Sequence, residues 1–595
     1  MKKDQTGSGL LSRLFFRLLG VQILLAGIGA VNGLVTSLFV AGAGLDGEVM
    51  SAIGLYTPIN TIIGAINMVF MTGATILSGK YMGRNELRET QNVFSWDLWI
   101  ITILGAAFTA VLLPGGLFGF ISGIFTSDEA LRRHLDPYVT GQAAGVLPLM
   151  LNLHISSFLS LENQSRRTTI ASLVCIAANV LLNFLFLNAG LIRNALGLAL
   201  GASLGQWIFL VVQLMYYFSG KSVLKLRVRP HRGRTVLDMA KIGYPGALSS
   251  AYQALRGIIV NALILGTAAV GSAGLSAFTA STSVLNLFWA VFSGILAVSR
   301  MLISISIGEE DRRSLVDCMK VAMFRGVPLM TAVAAVAIVL AVPMTRLFYS
   351  EADGPVFQMT VNAFRILPLC MPLSVICMHF VCYGQTSGKT LLVHILSILD
   401  GVVCVAAFSA LLMPWLGMDG VYTANVLNGI VCVLVIVLYA WLVRKRFPRS
   451  IEDLMVIPDD FGVAEIDRLD ICVRSMDQVM TVSERVVAFC REHGIDERRT
   501  YHSGLFLEEM AGNVVDHGFR KDKKQHAVDI RVAYKGDDVI LRIKDDCVPF
   551  DPAERQDLID PKDKIKNMGI RMVYKGAKDV SYQNMLGLNV LTIRI

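Results

Sequence analysis

Twelve apolar runs, each long enough to cross a hydrocarbon core of about 30 Å as a helix of about 20 residues, dominate this chain. They fall at residues 14–41, 52–79, 92–115, 138–160, 168–190, 195–218, 240–268, 274–305, 317–344, 358–383, 390–414 and 418–443. In lipid every backbone N–H and C=O must be satisfied within its own segment, so such runs can only be helices. The pattern stops near residue 446. Residues 1–450 hold 32 Lys/Arg and 19 Asp/Glu, whereas residues 451–595 hold 22 and 27. The first part therefore suits lipid and the second suits water. Its net negative charge gives no indication of a nucleic-acid partner.

Basic residues alternate along the connections. Lys80, Arg84 and Arg88, then Arg166 and Arg167, then the group from Lys221 to Arg234, then Arg312 and Arg313, then Lys389, then Arg444 to Arg446 fall on one side. The opposite connections have few or none, although Arg132 and Arg133 are exceptions. The positive-inside rule predicts both termini in the cytoplasm and the loop around Asp46 outside, in a multi-pass plasma (inner) membrane protein. The ten cysteines include no C-x-x-C pair, so they read as free thiols rather than metal ligands or a disulfide framework. The basic N-terminus runs into an apolar stretch with no small-residue cleavage site, which predicts a first membrane helix rather than a removable signal.

An internal repeat organises this half. Gly83-x-x-Glu86-x-Arg88 recurs as Gly308-x-x-Asp311-x-Arg313, and Phe125-Thr-Ser-Asp128 as Phe348-Tyr-Ser-Glu351. Gln164-Ser-Arg recurs as Gln385-Thr-Ser, and Leu196-Gly197 as Leu416-Gly417, all in the same order at offsets of 220 to 225. Such a series predicts two six-helix halves in parallel orientation, with a cavity between them. At these residues the half, over roughly residues 12–445, resembles the MATE family of multidrug and toxin extruders. The resemblance implies exchange of organic cations or drugs against Na⁺ or H⁺ through membrane carboxylates.

Two positions depart from that pattern. Thr36 stands in the first helix, and Asn183 in the fifth, where the resemblance implies cation-binding acids. A membrane carboxylate is costly and is retained where it is used, so its loss implies that ion coupling is lost or has moved. Charges that remain within the runs include Arg256, Arg300 and Asp400. They read as an anionic-ligand site or a gate in which Asp400 partners an arginine, against structural pairing or snorkelling. His154, His379 and His394 read as core or cavity-lining histidines.

The tail alternates helix and strand patterns. Residues 475–493 and 498–518 read as helices, and 528–535, 538–546 and 588–595 as strands with period-two alternation. Glu509, Asn513 and His517 fall at i, i+4 and i+8, on one helix face. A carboxylate and a carboxamide one turn apart can hold a water and a hard cation such as Mg²⁺. Asp545-Asp546-Cys547-Val-Pro-Phe follows at a strand end, and Asn567-Met-Gly569-Ile-Arg571 opens a third helix.

These three segments resemble the N, G1 and G2 boxes of GHKL ATPases, in the order found in anti-sigma-factor serine kinases. The resemblance covers roughly residues 465–595 and implies an α/β Bergerat-type sandwich binding ATP and Mg²⁺. It implies that Glu509 acts as a base, Asn513 holds Mg²⁺, His517 belongs to the first box and Asp545 accepts the adenine amino hydrogen. Gly569, with Asn567 and Arg571, would approach the phosphates, and Lys562, Lys564 and Lys566 lie in the intervening lid. Cys547 and Asn567 replace glycines of the boxes, which puts a tight turn and a flexible lid in doubt.

The resulting expectation is a membrane domain over 1–445, with halves at about 12–220 and 235–445, a linker over 446–464 and an ATPase domain over 465–595. One function expected is a transporter or sensor, occupied by a small molecule, that controls a serine-kinase-like domain. Its partner would then be a cytoplasmic phosphoacceptor antagonist or a sigma-factor regulator. The alternative is an antiporter exporting xenobiotics or metabolites, with a regulatory ATP-binding tail. An ATP-powered pump is disfavoured by the lack of a G-x-x-x-x-G-K-[ST] loop.

Overall fold

The computed structural model describes residues 8–42, 47–126, 128–227, 230–231, 233–267, 270–349, 354–520, 526–553 and 568–595. Asp46, Lys562, Lys564, Lys566 and Asn567 lie outside the described residues.

Among the described residues, twelve helices are long and apolar enough to cross a membrane. They are α1 (Ser8–Gly42), α2 (Gly47–Gly83), α3 (Leu87–Leu117), α4 (Glu129–Leu161), α5 (Ser165–Asn188) and α6 (Ala195–Phe218), then α7 (Arg234–Gly266), α8 (Gly271–Gly308), α9 (Arg312–Val339), α10 (Pro355–Ser387), α11 (Thr390–Leu416) and α12 (Met418–Arg444). Several extend past the apolar runs because charged ends such as Glu129 to Arg133 continue the helix beyond the lipid-compatible stretch. The two halves meet mainly through α2, which packs on α7 and α8. Small residues make this contact close. A Cβ on Gly73 would sit 2.1 Å from the Met239 carbonyl oxygen, and one on Gly243 only 1.7 Å from that of Val69. Backbones in direct contact gain dispersion where lipid offers no hydrophobic drive between helices.

Among the described residues, three of these membrane helices widen into π turns: α5 at Phe184–Asn188, α9 at Ala322–Gly326 and α11 at Leu399–Val403.

The tail forms a five-stranded antiparallel sheet of β1 (Arg468–Val473), β2 (Val528–Lys535), β3 (Asp538–Asp545), β4 (Asp579–Met585) and β5 (Leu588–Arg594), in the order β1-β2-β3-β5-β4. Helices α13 (Met476–Glu492), α14 (Glu497–Asn513) and α15 (Met568–Gly576) complete it. One face of the sheet, carried by Ile530, Val532, Leu541, Ile543, Leu591 and Ile593, packs with Val482, Val486, Phe506 and Leu507 of the helices into a single core. Strands β1 and β4 have no counterpart in the expected elements. Both are half-buried and polar, so they lack a clean apolar alternation.

The other face of the sheet is charged, and it docks on the membrane half. Directly after α8, Glu309 meets Lys544 (2.6 Å) and Arg542 (3.8 Å), Asp311 pairs with Arg531, and Arg313 reaches Asp470 at 3.6 Å. Arg312 binds Glu452 (2.8 Å) and the Pro458 carbonyl (2.9 Å) of the connecting segment. In register, Asp470, Arg531 and Arg542 form a cross-strand row, which opposes the acidic loop with its two arginines. The first half touches the domain as well. Arg13 lies 3.4 Å from Asp546, Arg17 donates to the Leu586 carbonyl, and Leu586 N–H donates to the Leu161 carbonyl at 3.1 Å. Leu586 and Gly587 both have positive φ, 53° and 80°, the geometry of a tight hairpin turn. A Cβ on Gly587 would sit 2.4 Å from Asn163 Oδ1, so glycine lets the turn seat against the α4–α5 loop.

Burial acts most strongly on Asp311 and would raise its carboxyl. Arg531, Lys544 and the two bonds from Ser314 outweigh it and hold the carboxyl below the usual carboxylate range. Asp529 next to this row is pushed up to about 6, by burial first, against the pull of Lys544.

Candidate functional site

Helix α14 begins at Asp496, whose side chain caps the N–H of Arg499 at 3.0 Å. Its buried stripe, Ser503, Phe506, Leu507 and Met510, faces the sheet and fixes the rotation of the helix. Glu509 and Asn513 follow one turn apart, both half-buried. The helix then widens into a π turn at Val514–Gly518, a form frequent at functional sites. The wider turn takes His517 out of the regular stack, and its side chain is 71% exposed.

Asn513 and His517 line a cavity of about 510 Å³ with Asp545, Cys547, Tyr582 and Asn589. Asp545 is buried at the end of β3. Its Oδ1 accepts from the Cys547 N–H (2.9 Å) and from Asn589 Nδ2 (2.7 Å). Asn589 in turn accepts from the Tyr582 hydroxyl at 2.7 Å, and that hydroxyl accepts from the Phe550 N–H at 3.0 Å. Burial raises the Asp545 carboxyl, and the bonds from Asn589 and Cys547 act against it. Burial likewise pushes the Tyr582 hydroxyl up to about 12, so it remains a donor. The turn at Cys547 closes through the bond to Asp545, and Cys547 is not among the residues of positive φ. Its sulfur packs instead on Gly518, where a Cβ would lie 3.1 Å away.

Gly569 opens α15 against Glu509, whose Oε2 would be 1.9 Å from a Cβ at that position. The glycine therefore admits the carboxylate to the helix start, where free N–H groups suit an anion. Arg571 is half-buried two residues on. Asn589 and Tyr582 were not legible as site residues. The one available signal is a polar residue at a buried position of β5, since Asn589 is 4% exposed.

The membrane candidates divide. Arg256 and Asp400 line a cavity of about 480 Å³ in the second half, with Asn286, Trp289, Asn425 and Asn428. Arg256 Nη1 donates to the Asp400 backbone carbonyl at 3.2 Å, while the carboxylate accepts from Asn428 at 2.8 Å. The expected arginine–carboxylate pairing is thus replaced by a contact to the π turn. Asp400 also lies with Cys377 and Cys432 so that one donor atom of each falls within 4.8 Å of the others. Arg300 is 8% exposed with Nε unpartnered, away from that cavity's lining. Asn183 is buried, donates to the Asn179 carbonyl at 2.9 Å, and leaves its Oδ1 unpartnered. Thr36 lies on α1, with its side chain outside the described residues. His394 bonds Tyr244 at 2.7 Å.

The pattern of the family described as histidine kinase-like ATPase domain matches residues 473–595. The MatE pattern matches residues 10–185 and 245–411, more than half of the chain. A multidrug export protein MepA of Staphylococcus saprophyticus is 21% identical over 446 residues, spanning 72% of this chain and 93% of that protein. A multidrug export protein MepA of Staphylococcus aureus is 20% identical over 69% of this chain and 89% of that protein. Among solved structures, a MATE protein in complex with MaL6 superposes with a TM-score of 0.65 at 21% identity, over 72% of this chain and 96% of that one. An outward-facing multidrug resistance MATE transporter of the MOP superfamily gives 0.64 at 21% identity, over 73% and 97%. The chain is a multi-pass membrane protein that belongs to the MatE family and carries a histidine kinase-like ATPase domain after its twelve helices.

Proposed function

We propose that this protein is a membrane-embedded regulator, in which a transporter-like module holding a small molecule governs a Mg-ATP-dependent serine kinase of the anti-sigma-factor type. The observation that carries the coupling is the docked sheet. The loop Glu309–Arg313 extends directly from α8, the second-half helix that packs on α1 and α2, and pairs with Lys544, Arg531 and Asp470. Arg13 of the first half meets Asp546, next to Asp545 of the nucleotide cavity. A domain bound to both halves feels any movement between them. The basic loops favour a cytoplasmic position for this domain and both termini.

The donor set suits the cofactor. Asn513 offers a carbonyl oxygen, a hard ligand, to Mg²⁺, and Glu509 stands one turn away with a free carboxylate for proton transfer. Bound Mg-ATP supplies the phosphoryl group and neutralises charge on its oxygens. Glu509 accepts the proton of an attacking serine hydroxyl. Asp545, held by Asn589 and the Cys547 N–H, accepts from the adenine amino group. The phosphoacceptor would be a small cytoplasmic antagonist protein or a sigma-factor regulator.

A second reading, export of xenobiotics or metabolites under control of the tail, draws on the cavity at Arg256 and on the relatives named for multidrug export. Calorimetry of Mg-ATP binding to the full-length protein and to Glu309→Lys separates coupling from its absence. Coupling requires the variant, undocked, to bind with altered affinity. Equal affinity would defeat both readings of the docked tail.

A further inference from the structure

One buried polar cluster in the first half belongs to neither cavity. Asp97 on α3 and His154 on α4 have no exposed side-chain surface, and His154 Nδ1 lies 2.7 Å from Asp97 Oδ2. His154 Nε2 lies 3.0 Å from Asn67 Oδ1 on α2. Asp97 Oδ1 is buried and has no hydrogen-bond partner among the described residues. Asp97 stands ten residues into α3 and His154 seven before the end of α4, so at 1.5 Å per residue the cluster lies about 10–15 Å inside the helix ends. An ionisable pair at such depth costs several kcal/mol, and apolar replacement of a buried pair is often neutral or stabilising. Its presence calls for a use.

The ring nitrogens say what is bound there. Nδ1 and Asp97 Oδ2, 2.7 Å apart, share one hydrogen, carried by Nδ1 when the acid is ionised. Nε2 faces an amide that can present either its oxygen or its NH₂. With the oxygen inward, Nε2 also carries hydrogen, and the imidazolium and carboxylate sum to zero charge. With the NH₂ inward, Nε2 is bare and a net negative charge is left in the bilayer, its Oδ1 unsolvated. The closed site thus requires the proton, and release requires water. Among the described residues, His154 is the only charged or titratable group acting on Asp97 from the helices packed around it.

Asn67 links this proton to the contact between halves. It lies two residues from Val69, whose carbonyl presses on Gly243 of α7. The second half supplies a contrast. His379 stands 225 residues after His154, the offset that separates Gly83 from Gly308. Its Nδ1 donates to the Val375 carbonyl and its Nε2 accepts from Ser299 Oγ, each at 2.6 Å, which satisfies a neutral ring. The residue at the same offset from Asp97 is Ala322. A buried histidine at this place therefore needs no acid for packing, and the acid in the first half is an addition.

We propose that Asp97 and His154 form a proton-binding site of the membrane half, opened to water by movement between the halves, in place of the acids missing at Thr36 and Asn183. The proton passes between bulk water and His154 Nε2, with rotation of the Asn67 amide. This rests on a membrane module that moves between two states, and not on the kinase assignment.

Proton uptake by the full-length protein in lipid nanodiscs is counted with a pH-indicator dye from about pH 8 to about pH 5, the range in which imidazoles charge. Asp97→Asn and His154→Gln are each expected to take up one proton fewer than the unaltered protein, and His379→Gln the same number. Should those two variants fail to fold, Asn67→Asp carries the test. It sets a second carboxylate against Nε2 and should move one uptake step upward by about one pH unit or more. Equal uptake by Asp97→Asn, His154→Gln and the unaltered protein, or an unmoved step in Asn67→Asp, would overturn the proposal, whatever the tail does with ATP.

Discussion

Substituting Arg531→Met strands an acid at the docked interface. Asp311 has only 4% of its side chain exposed, and Arg531 is its direct ion-pair partner. Removing one member of a buried pair costs about 3–5 kcal/mol, because the other charge stays buried. Lys544 still acts on Asp311, so the lower end, about 3 kcal/mol, is the better figure, equivalent to about 150-fold in the docking equilibrium. Asp470, the other partner of Arg531, keeps Arg313 and Arg468, each at 3.6 Å. Adding Asp311→Asn removes the stranded charge while an amide oxygen still caps Ser314, so the double variant should recover most of the loss. Amide hydrogen exchange of residues 309–315 in the full-length protein reads the opening directly. Exchange about 150-fold faster in the single variant and near the original rate in the double is the expected result. An unchanged rate in the single variant would show that these ions do not hold the domain.

Four substitutions in the tail have outcomes of their own. Asn513→Ala should weaken Mg-ATP binding measured by calorimetry, while Glu509→Gln should preserve it and slow phosphoryl transfer to serine by about 100-fold or more. Asp545→Ala should lower the preference for ATP over GTP by about 10- to 100-fold in competition binding, since the purine amino group loses its buried acceptor. Asp529 carries a carboxyl raised from 3.8 to about 6, so the folded, docked state holds its proton more tightly than the unfolded chain. Its ionisation costs stability as pH rises from about 4 to about 6, and the cost is constant above. Asp529→Asn should therefore raise stability by about 3 kcal/mol at pH 7 and by almost nothing below about pH 4, as read from denaturant unfolding of the tail in the full-length protein.

Long apolar runs carry no periodicity to misread, which is why the twelve helices were legible. Their ends were less so, and Asp97 was lost there. With α3 expected from residue 92, an acid at 97 passes for an interfacial residue, although the helix begins at Leu87. Glu509 and Asn513 were legible because four-residue spacing on a helix is a local rule. His517 was placed on the same stack because a π turn leaves no mark in the residue pattern. Asn589 and Tyr582 reach Asp545 only through strand pairing across the sheet, and nothing near them in sequence announces it. The charged outer face of β2 and β3 reads as solvated in any strand pattern, since alternation separates the two faces without telling what covers either.

The widened turns of α5 and α11 make these helices sensitive to chain length in a way that residue identity does not capture. A π turn accommodates one residue more than an α-helical path would, and each residue turns the helix by about 100°. Deleting a single residue such as Val403 lets α11 close into a regular helix, and Cys404 to Leu416 keep the faces they have, because the widened turn had absorbed the extra residue. Val405, which lines the cavity with Asp400, would stay on the wall, while the backbone at Asp400, whose carbonyl Arg256 reaches, would be redrawn. A related chain lacking one residue here would keep its twelve spans, its loop charges and the lining beyond the turn, yet lose the widened backbone that meets Arg256.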